Sequence, residues 1–160
     1  MHPFRKIFEK LSKLKIRYLV VGGVAVNFYG YLRFTQNVDI LLPKTNDNLQ
    51  NISNVNIRMI EKDSFEKLYK TREIRKFGNI VIPIVSISEL IKMKKTKKSI
   101  DLIDVTYLKR LQKIKNKPDI RPRWGINLEL EQLRHWKYLP VDTIVNWLDD
   151  AYNFTTAIKS

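Results

Sequence analysis

The stretch 18–42, YLVVGGVAVNFYGYLRFTQNVDILL, constrains the fold of this chain more than any other. It begins with a short apolar run that is typical of a buried strand, and Gly22 and Gly23 stop that run. The next residues have helix-like spacing up to Gly30, a residue type that commonly follows the end of a helix. A second apolar run, residues 38–42, comes after a polar link. This order predicts a strand, a glycine turn, a helix and a second strand.

Asp39 interrupts the second apolar run. A carboxylate in a buried strand is costly unless a metal ion, a charged partner or water compensates it. Glycines after a strand let a ligand approach the backbone, and the first N–H groups of a following helix favour an anion. Gly22 and Gly23 would then hold a phosphate, and Asp39 would hold a divalent metal against it. Arg33 and Thr35 would add a cation and a hydroxyl just before the strand.

Each of these residues also has a structural interpretation. The two glycines would make a tight turn, Asp39 would be a partly exposed strand-end residue, and Arg33 would form a surface salt bridge. We interpret Asp101 and Asp104 as structural acids that pair with the lysines around them. Lys94 would either touch a phosphate or, as we expect, lie on a solvated helix face.

The bulk composition predicts one ordinary domain with a real core. The chain has 160 residues, of which 44% are hydrophobic, and this argues against intrinsic disorder. Because the sequence contains no cysteine, disulfides and thiolate metal sites are excluded. Apolar runs are too short to span a bilayer, and charges interrupt the N-terminal segment every few residues. We therefore expect a cytoplasmic protein with no membrane partner.

The chain is strongly basic, with a net charge of +14 from 30 Lys+Arg and 16 Asp+Glu. Such an excess favours a polyanionic partner, either nucleic acid or a nucleotide. The densest basic run is KMKKTKK at residues 92–98, and further cations follow up to Arg123. This run would form either a track for an RNA backbone or a solvated helix surface. Lysines scattered over a chain rich in Lys, Ile and Asn need no partner at all.

Periodicity along the chain predicts helices packed on a sheet, which is an α/β or α+β fold. Helical spacing occurs at residues 4–16, 48–52, 63–70, 86–95, 100–115, 128–138 and 141–154. The apolar stripes of the helices at 4–16 and 100–115 include Leu14 and Leu102. Asp63 or Ser64 would cap the helix at 63–70, and Ser86 or Ser88 would cap the helix at 86–95. Strand patterns occur at 18–21, 38–42 and 56–60, and a hairpin is predicted from 73–77 and 80–85. Pro83 suggests that the last of these is an edge strand. Two prolines at 116–123 mark a linker between a domain at 1–115 and a helical C-terminal extension at 116–160.

The glycine turn and the strand after it resemble the pattern of the nucleotidyltransferase superfamily, in the branch that includes AbiEii-type toxins of type IV toxin–antitoxin systems. That pattern is Gly-Gly or Gly-Ser, a short helix that often ends in Gly, Arg-x-Thr, and Asp-x-Asp on the next strand. The residues that match here are Gly22, Gly23, Gly30, Arg33, Thr35 and, for the second acid, Asp39. The resemblance covers most of residues 15–112 and continues with Leu90, Ile91, Lys94, Asp101 and Asp104 in the family order.

The resemblance implies a nucleotidyltransferase-like mixed β-sheet flanked by helices. It also implies binding of an NTP with Mg²⁺ or Mn²⁺ and transfer of a nucleotidyl group to an RNA, such as tRNA, or to a protein. Carried over by position, the nucleotide-binding residues are Gly22, Gly23, Arg33 and Thr35, the catalytic residue is Asp39, and the metal ligands are Asp39 and Asn37. The type IV branch implies a cognate toxin or antitoxin protein as partner.

The chain departs from the family pattern where the pattern needs acids. Asn37 stands at the first position of the Asp-x-Asp pair, and the candidate strand NIRMI offers Arg58 but no carboxylate. Nucleotidyl transfer with two metal ions needs several acids to offset their charge. The second function that the sequence supports is therefore a non-catalytic toxin–antitoxin component or a nucleic-acid-binding module.

Overall fold

The structure, a computed structural model, describes residues 3–44, 54–94, 98–115 and 139–158. Six helices lie within these ranges: α1 (Pro3–Lys13), α2 (Gly22–Phe28), α3 (Lys62–Lys70), α4 (Ile87–Met93), α5 (Ser99–Lys115) and α6 (Val141–Ile158). The five strands are β1 (Leu19–Val21), β2 (Val38–Pro43), β3 (Val55–Ile60), β4 (Glu73–Phe77) and β5 (Ile80–Ile84). None of the helices described is long and apolar enough to cross a membrane.

The strands form one mixed sheet in the order β3-β2-β1-β5-β4. β1 is antiparallel to β2 and parallel to β5, while β2 is parallel to β3, and β4 and β5 form an antiparallel hairpin. The predicted mixed α/β class is therefore confirmed. The register places Val21 opposite Asp39, and Asp39 opposite Asn56. The C-terminal end of β1 and the N-terminal ends of β2 and β3 consequently lie side by side at the same end of the strands.

α1 packs against β5 and α6 through the apolar side chains that the sequence placed at helical spacing. Phe4, Phe8 and Leu11 are almost completely buried. Leu14, predicted on the same face, is 45% exposed because the helix ends at Lys13. The buried carboxylate of Asp149 on α6 accepts the N–H of Phe4 at 2.7 Å, which satisfies one of the free donors at the start of α1.

The prediction that Pro83 marks an edge strand is wrong. β5, which contains Pro83, lies between β1 and β4. Proline is tolerated here because the pairing of β5 with β1 is confined to the region after it, where Val20 lies opposite Ile84 and Val85 donates to the Val20 carbonyl at 3.0 Å. The missing N–H of Pro83 therefore falls before the ladder with β1 begins.

The buried face of α5 differs from the predicted one. Leu102 was expected in the apolar stripe, but it is 59% exposed. The stripe runs instead through Asp104, Leu108 and Leu111, all three buried and spaced as one helix face requires. The buried stripe of α5 therefore begins at an acid, Asp104, and not at Leu102.

The start of α3 differs from the prediction, whereas α4 starts after one of its two predicted cap residues. α3 begins at Lys62 after Glu61, so that Asp63 lies in the first turn and is not the cap that was expected. Ser86 precedes α4 as predicted, without a side-chain cap hydrogen bond. The predicted helices at 48–52 and 128–138, the linker at 116–123 and residues 95–97 of the lysine run lie outside the described residues.

Candidate functional site

The first half of the site is the contact between Gly22 and Asp39. Gly22 has a φ of +67°, and a Cβ at this position would lie 2.1 Å from Oδ2 of the Asp39 carboxylate. Such a separation is impossible, and L side chains rarely adopt this φ. β1 ends directly before Gly22, and the β1–β2 register brings Asp39 across from Val21. Glycine is therefore required at position 22 so that Asp39 can pack against the turn.

The second half of the site is the contact of Gly23 with Arg33 and Thr35. A Cβ at Gly23 would lie 3.0 Å from Nη2 of Arg33 and 3.1 Å from Oγ1 of Thr35. The Thr35 hydroxyl also donates to the carbonyl of Asn37 at 3.3 Å. The sequence-predicted residues of the glycine turn, the Arg-x-Thr segment and β2 thus come together in one place.

Asn27 holds the Arg33 backbone from both sides. Its Oδ1 accepts the N–H of Arg33 at 2.6 Å, and its Nδ2 donates to the carbonyl of Arg33 at 3.0 Å. Asn27 is completely buried in α2. A buried amide that exchanges two hydrogen bonds with one residue fixes where the segment after the helix turns back toward the sheet. Sequence reasoning missed Asn27; the signal was a polar residue on an otherwise apolar short helix.

The Arg33 guanidinium joins a buried cluster of four charges, which we call the ion cluster: Arg33, Lys94, Asp101 and Asp104. Nη2 of Arg33 lies 2.9 Å from Oδ2 of Asp104, and Nζ of Lys94 lies 2.7 Å from the same oxygen. Lys94 also donates to Oδ1 of Asp101 at 3.0 Å. Asp104 has no exposed surface, and it is held by two cations as a buried carboxylate requires.

Two expectations for the ion cluster have opposite outcomes. The prediction that Asp101 and Asp104 pair with nearby lysines is confirmed, since both bind Lys94. The expectation that Lys94 lies on a solvated face is wrong, because its side chain is only 8% exposed. The lysine run predicted a surface helix, but tertiary packing buries Lys94 against Asp101 and Asp104.

Asn56 is a second residue of the site that the sequence did not point to. It is the β3 partner of Asp39 in the parallel ladder, and its Nδ2 donates to Oδ1 of Asp39 at 2.8 Å. Arg58, the residue that drew attention in the sequence, lies beside Leu41 and is exposed. The parallel β2–β3 register decides this difference, and a single sequence does not reveal that register.

The donor set around Asp39 fits one divalent cation and does not fit two. Within the described ranges, no group of three or more His, Cys, Asp or Glu side chains is placed to hold a metal. One carboxylate with flanking amides suits a Mg²⁺ ion that arrives with phosphates, since Mg²⁺ is commonly held by one or two carboxylates and substrate oxygens. A two-metal site needs more negative charge than Asp39 supplies.

The exposed cations of α5 lie outside the group around the glycine turn. Arg110 and Lys113, two cations of the predicted RNA track, are exposed on this helix. Together with residues 95–97 and 116–123, which the structure does not describe, they were the predicted RNA track. That prediction stays a prediction.

Comparison of the sequence with models of known protein families gives no match, and neither does comparison with curated proteins.

Proposed function

We infer that this chain is a nucleotidyltransferase-fold protein that binds an NTP together with one divalent cation at the glycine turn. Gly22 and Gly23 would face the phosphates, and Asp39 and Asn37 would hold the Mg²⁺ or Mn²⁺. Arg33 and Thr35 would supply a cation and a hydroxyl beside the triphosphate. The proposed reaction is transfer of a nucleotidyl group to an RNA, such as tRNA, or to a protein acceptor.

One observation carries this proposal. Five residues of the family-like motif, which span 18 positions, come together at the end of β1: Asp39 lies against Gly22, while Arg33 and Thr35 lie against Gly23. Contact between Asp39 and Gly22, and between Arg33 and Gly23, gathers a carboxylate, a guanidinium and a glycine turn within one small region. Such a combination suits an anion and its counter-cation.

When bound, the cation would offset triphosphate charge and polarise a phosphoryl oxygen. The contributions of the chain itself follow from its contacts. Asp39 supplies the negative charge, with Asn56 fixing the rotation of its carboxylate through the hydrogen bond to Oδ1. Arg33 lies against Gly23 as a fixed positive charge. These residues would orient the nucleotide and its cation.

The single carboxylate favours a second candidate function, a non-catalytic component of a toxin–antitoxin pair or a nucleic-acid-binding module. Asn37 and Asn56 both offer an amide near Asp39 in sequence or in the sheet, and an amide carries no charge to offset a metal. In this alternative, the glycine turn binds a nucleotide or nucleic acid without transfer.

Nucleotide binding measured with and without Mg²⁺ tests the proposal. We expect ATP or another NTP to bind more tightly with Mg²⁺, and Asp39→Ala to abolish that dependence. Asp150→Ala is the matched control, because Asp150 is exposed on α6. A transfer assay with labelled NTPs and tRNA then separates the two functions. Tight RNA binding without transfer, unaffected by Asp39→Ala, would establish the second function and reject the first.

A further inference from the structure

We propose that Asp104 is the positioning residue of the glycine-turn site: through Arg33, it holds the segment 31–39 against Gly22 and Gly23. This inference rests on the proposed nucleotide-binding function, but one of its readouts does not. Asp104 forms ion pairs with Arg33 and Lys94, and Arg33 is the partner that lies against Gly23, so the effect of Asp104 on the site passes through Arg33.

The first step is the double role of one atom. Nη2 of Arg33 is the atom nearest to the place of a Gly23 Cβ, at 3.0 Å, and it is also the atom that pairs with Oδ2 of Asp104 at 2.9 Å. The ion pair with Asp104 therefore sets where the guanidinium lies over Gly23. A long, flexible side chain loses considerable rotamer freedom when it is held in this way, so a fixed partner is needed.

The second step is that Asp104 cannot move to follow Arg33. It is completely buried, and Oδ2 also binds Lys94, which in turn binds Asp101. Asp104 is therefore fixed from two directions, by Arg33 and by Lys94. Since buried ion pairs add little to stability over apolar packing, holding geometry is the contribution that distinguishes this arrangement.

The third step is a second contact between α5 and the same region. Tyr107 lies one helical turn after Asp104, donates its hydroxyl to the carbonyl of Tyr29 at 3.2 Å, and stacks on Tyr31 with ring centroids 4.9 Å apart. Tyr29 directly follows the last residue of α2 and is its C-cap. α5 therefore contacts both ends of α2: the glycine end through Arg33 and the far end through Tyr107.

The test compares two buried aspartates in the full chain. Asp104→Asn and Asp149→Asn make the same chemical change at completely buried positions, and Asp149 serves the start of α1 instead of the glycine turn. We expect both variants to lower the melting temperature. Only Asp104→Asn should weaken ATP·Mg²⁺ binding, by about tenfold, because the neutral amide no longer fixes the Arg33 guanidinium over Gly23. Only Asp104→Asn should also accelerate amide hydrogen exchange of residues 31–39.

Each outcome decides the proposal. ATP affinity and exchange that are unchanged relative to Asp149→Asn would overturn it, and tighter ATP binding would show that Asp104 withholds Arg33 from the ligand, which also overturns it. If the wild-type protein binds no ATP, the proposed function fails, and exchange of residues 31–39 still decides the positioning role. If Asp104→Asn does not fold, Arg33→Lys keeps the cation and shortens its reach. Unchanged exchange in that variant would likewise overturn the proposal.

Discussion

The two aspartates near the glycine turn, Asp39 and Asp104, differ in burial and in the charge of their neighbours. Asp39 is half-buried at the end of the sheet, and its carboxylate accepts a hydrogen bond from the neutral amide of Asn56. Asp104, on the other side, is completely buried and lies between two cations. One aspartate is thus partly exposed beside a neutral amide, and the other is buried and compensated by two cations.

This difference matches the two proposed roles, cation binding by Asp39 and positioning of Arg33 by Asp104. A carboxylate whose neighbours are amides still has charge to offer a cation, whereas a carboxylate that two buried cations compensate has none to spare. Arg33 links the two sides, because it pairs with Asp104 and lies against Gly23. The comparison predicts that substitutions in the ion cluster lower stability and reach the ligand only through Arg33, whereas substitutions of the polar residues beside Asp39 act directly on cation affinity.

The largest expected effect comes from Lys94→Met. Removing one partner from a buried ion cluster leaves carboxylates under-compensated, and it typically costs about 3–5 kcal/mol. Lys92→Met is the matched control, since Lys92 lies two residues earlier and its side chain is 64% exposed beside Glu89. That change should cost less than about 1 kcal/mol. Urea denaturation of both variants measures the difference, and equal losses would contradict the burial of Lys94.

Gly22→Ala should destabilise the fold by about 3 kcal/mol, from an unfavourable positive φ together with a clash against Asp39. Gly78→Ala is the control, because Gly78 also has a positive φ, +55°, but an added Cβ meets nothing within 4 Å. The control should lose only about 1–2 kcal/mol. Thermal and chemical unfolding of the two variants tests whether Asp39 packs against the turn. Indistinguishable losses would mean that it does not.

Asn56→Asp should strengthen Mn²⁺ binding by about tenfold, which corresponds to 1.4 kcal/mol. The substitution places a second carboxylate beside Asp39 at the register position that the β2–β3 ladder defines. Gln36→Glu is the control, because it adds the same charge at an exposed position near the site. Titration with Mn²⁺ followed by electron paramagnetic resonance compares the two. A gain of the same size in the control would show that only general negative charge matters.

The smallest effect is expected at an exposed ion pair, which serves as a reference for the buried cluster. Arg17 donates hydrogen bonds to both oxygens of Glu66, and these lower the pKa of the Glu66 carboxyl below its ordinary value of 4.5. Because the pKa of the Glu66 carboxyl is lower in the folded protein than in the unfolded chain, its ionisation stabilises the fold at a pH above the unfolded-state pKa. This contribution is lost as the pH falls through the folded-state pKa.

The wild type should therefore be slightly more stable than Glu66→Gln at neutral pH, and the difference should vanish on acidification below 4.5. Urea unfolding of both proteins across this pH range provides the measurement. A difference that persists unchanged in acid would assign it to packing of Glu66 instead of its charge.

The sequence predicted the elements of this fold well where the pattern is local. The strand, glycine turn, helix and strand of residues 18–42, the hairpin at Gly78 and the helices packed against the sheet all follow from periodicity and turn residues. It failed at Pro83 and Leu102 for a common reason. Strand order and the buried face of α5 depend on what packs against them, and a local pattern does not contain that information.

The sequence by itself determined that Gly22, Gly23, Arg33, Thr35 and Asp39 are unusual residues for their places, because glycine pairs and acids in apolar strands are costly without a purpose. Only the tertiary structure decided what surrounds them. Asn56 joins Asp39 through a parallel ladder, and Asp104 reaches Arg33 from a helix that lies 71 positions further along the chain. The physical reason is that charge compensation and strand register are properties of neighbours in space, which the order of residues does not specify.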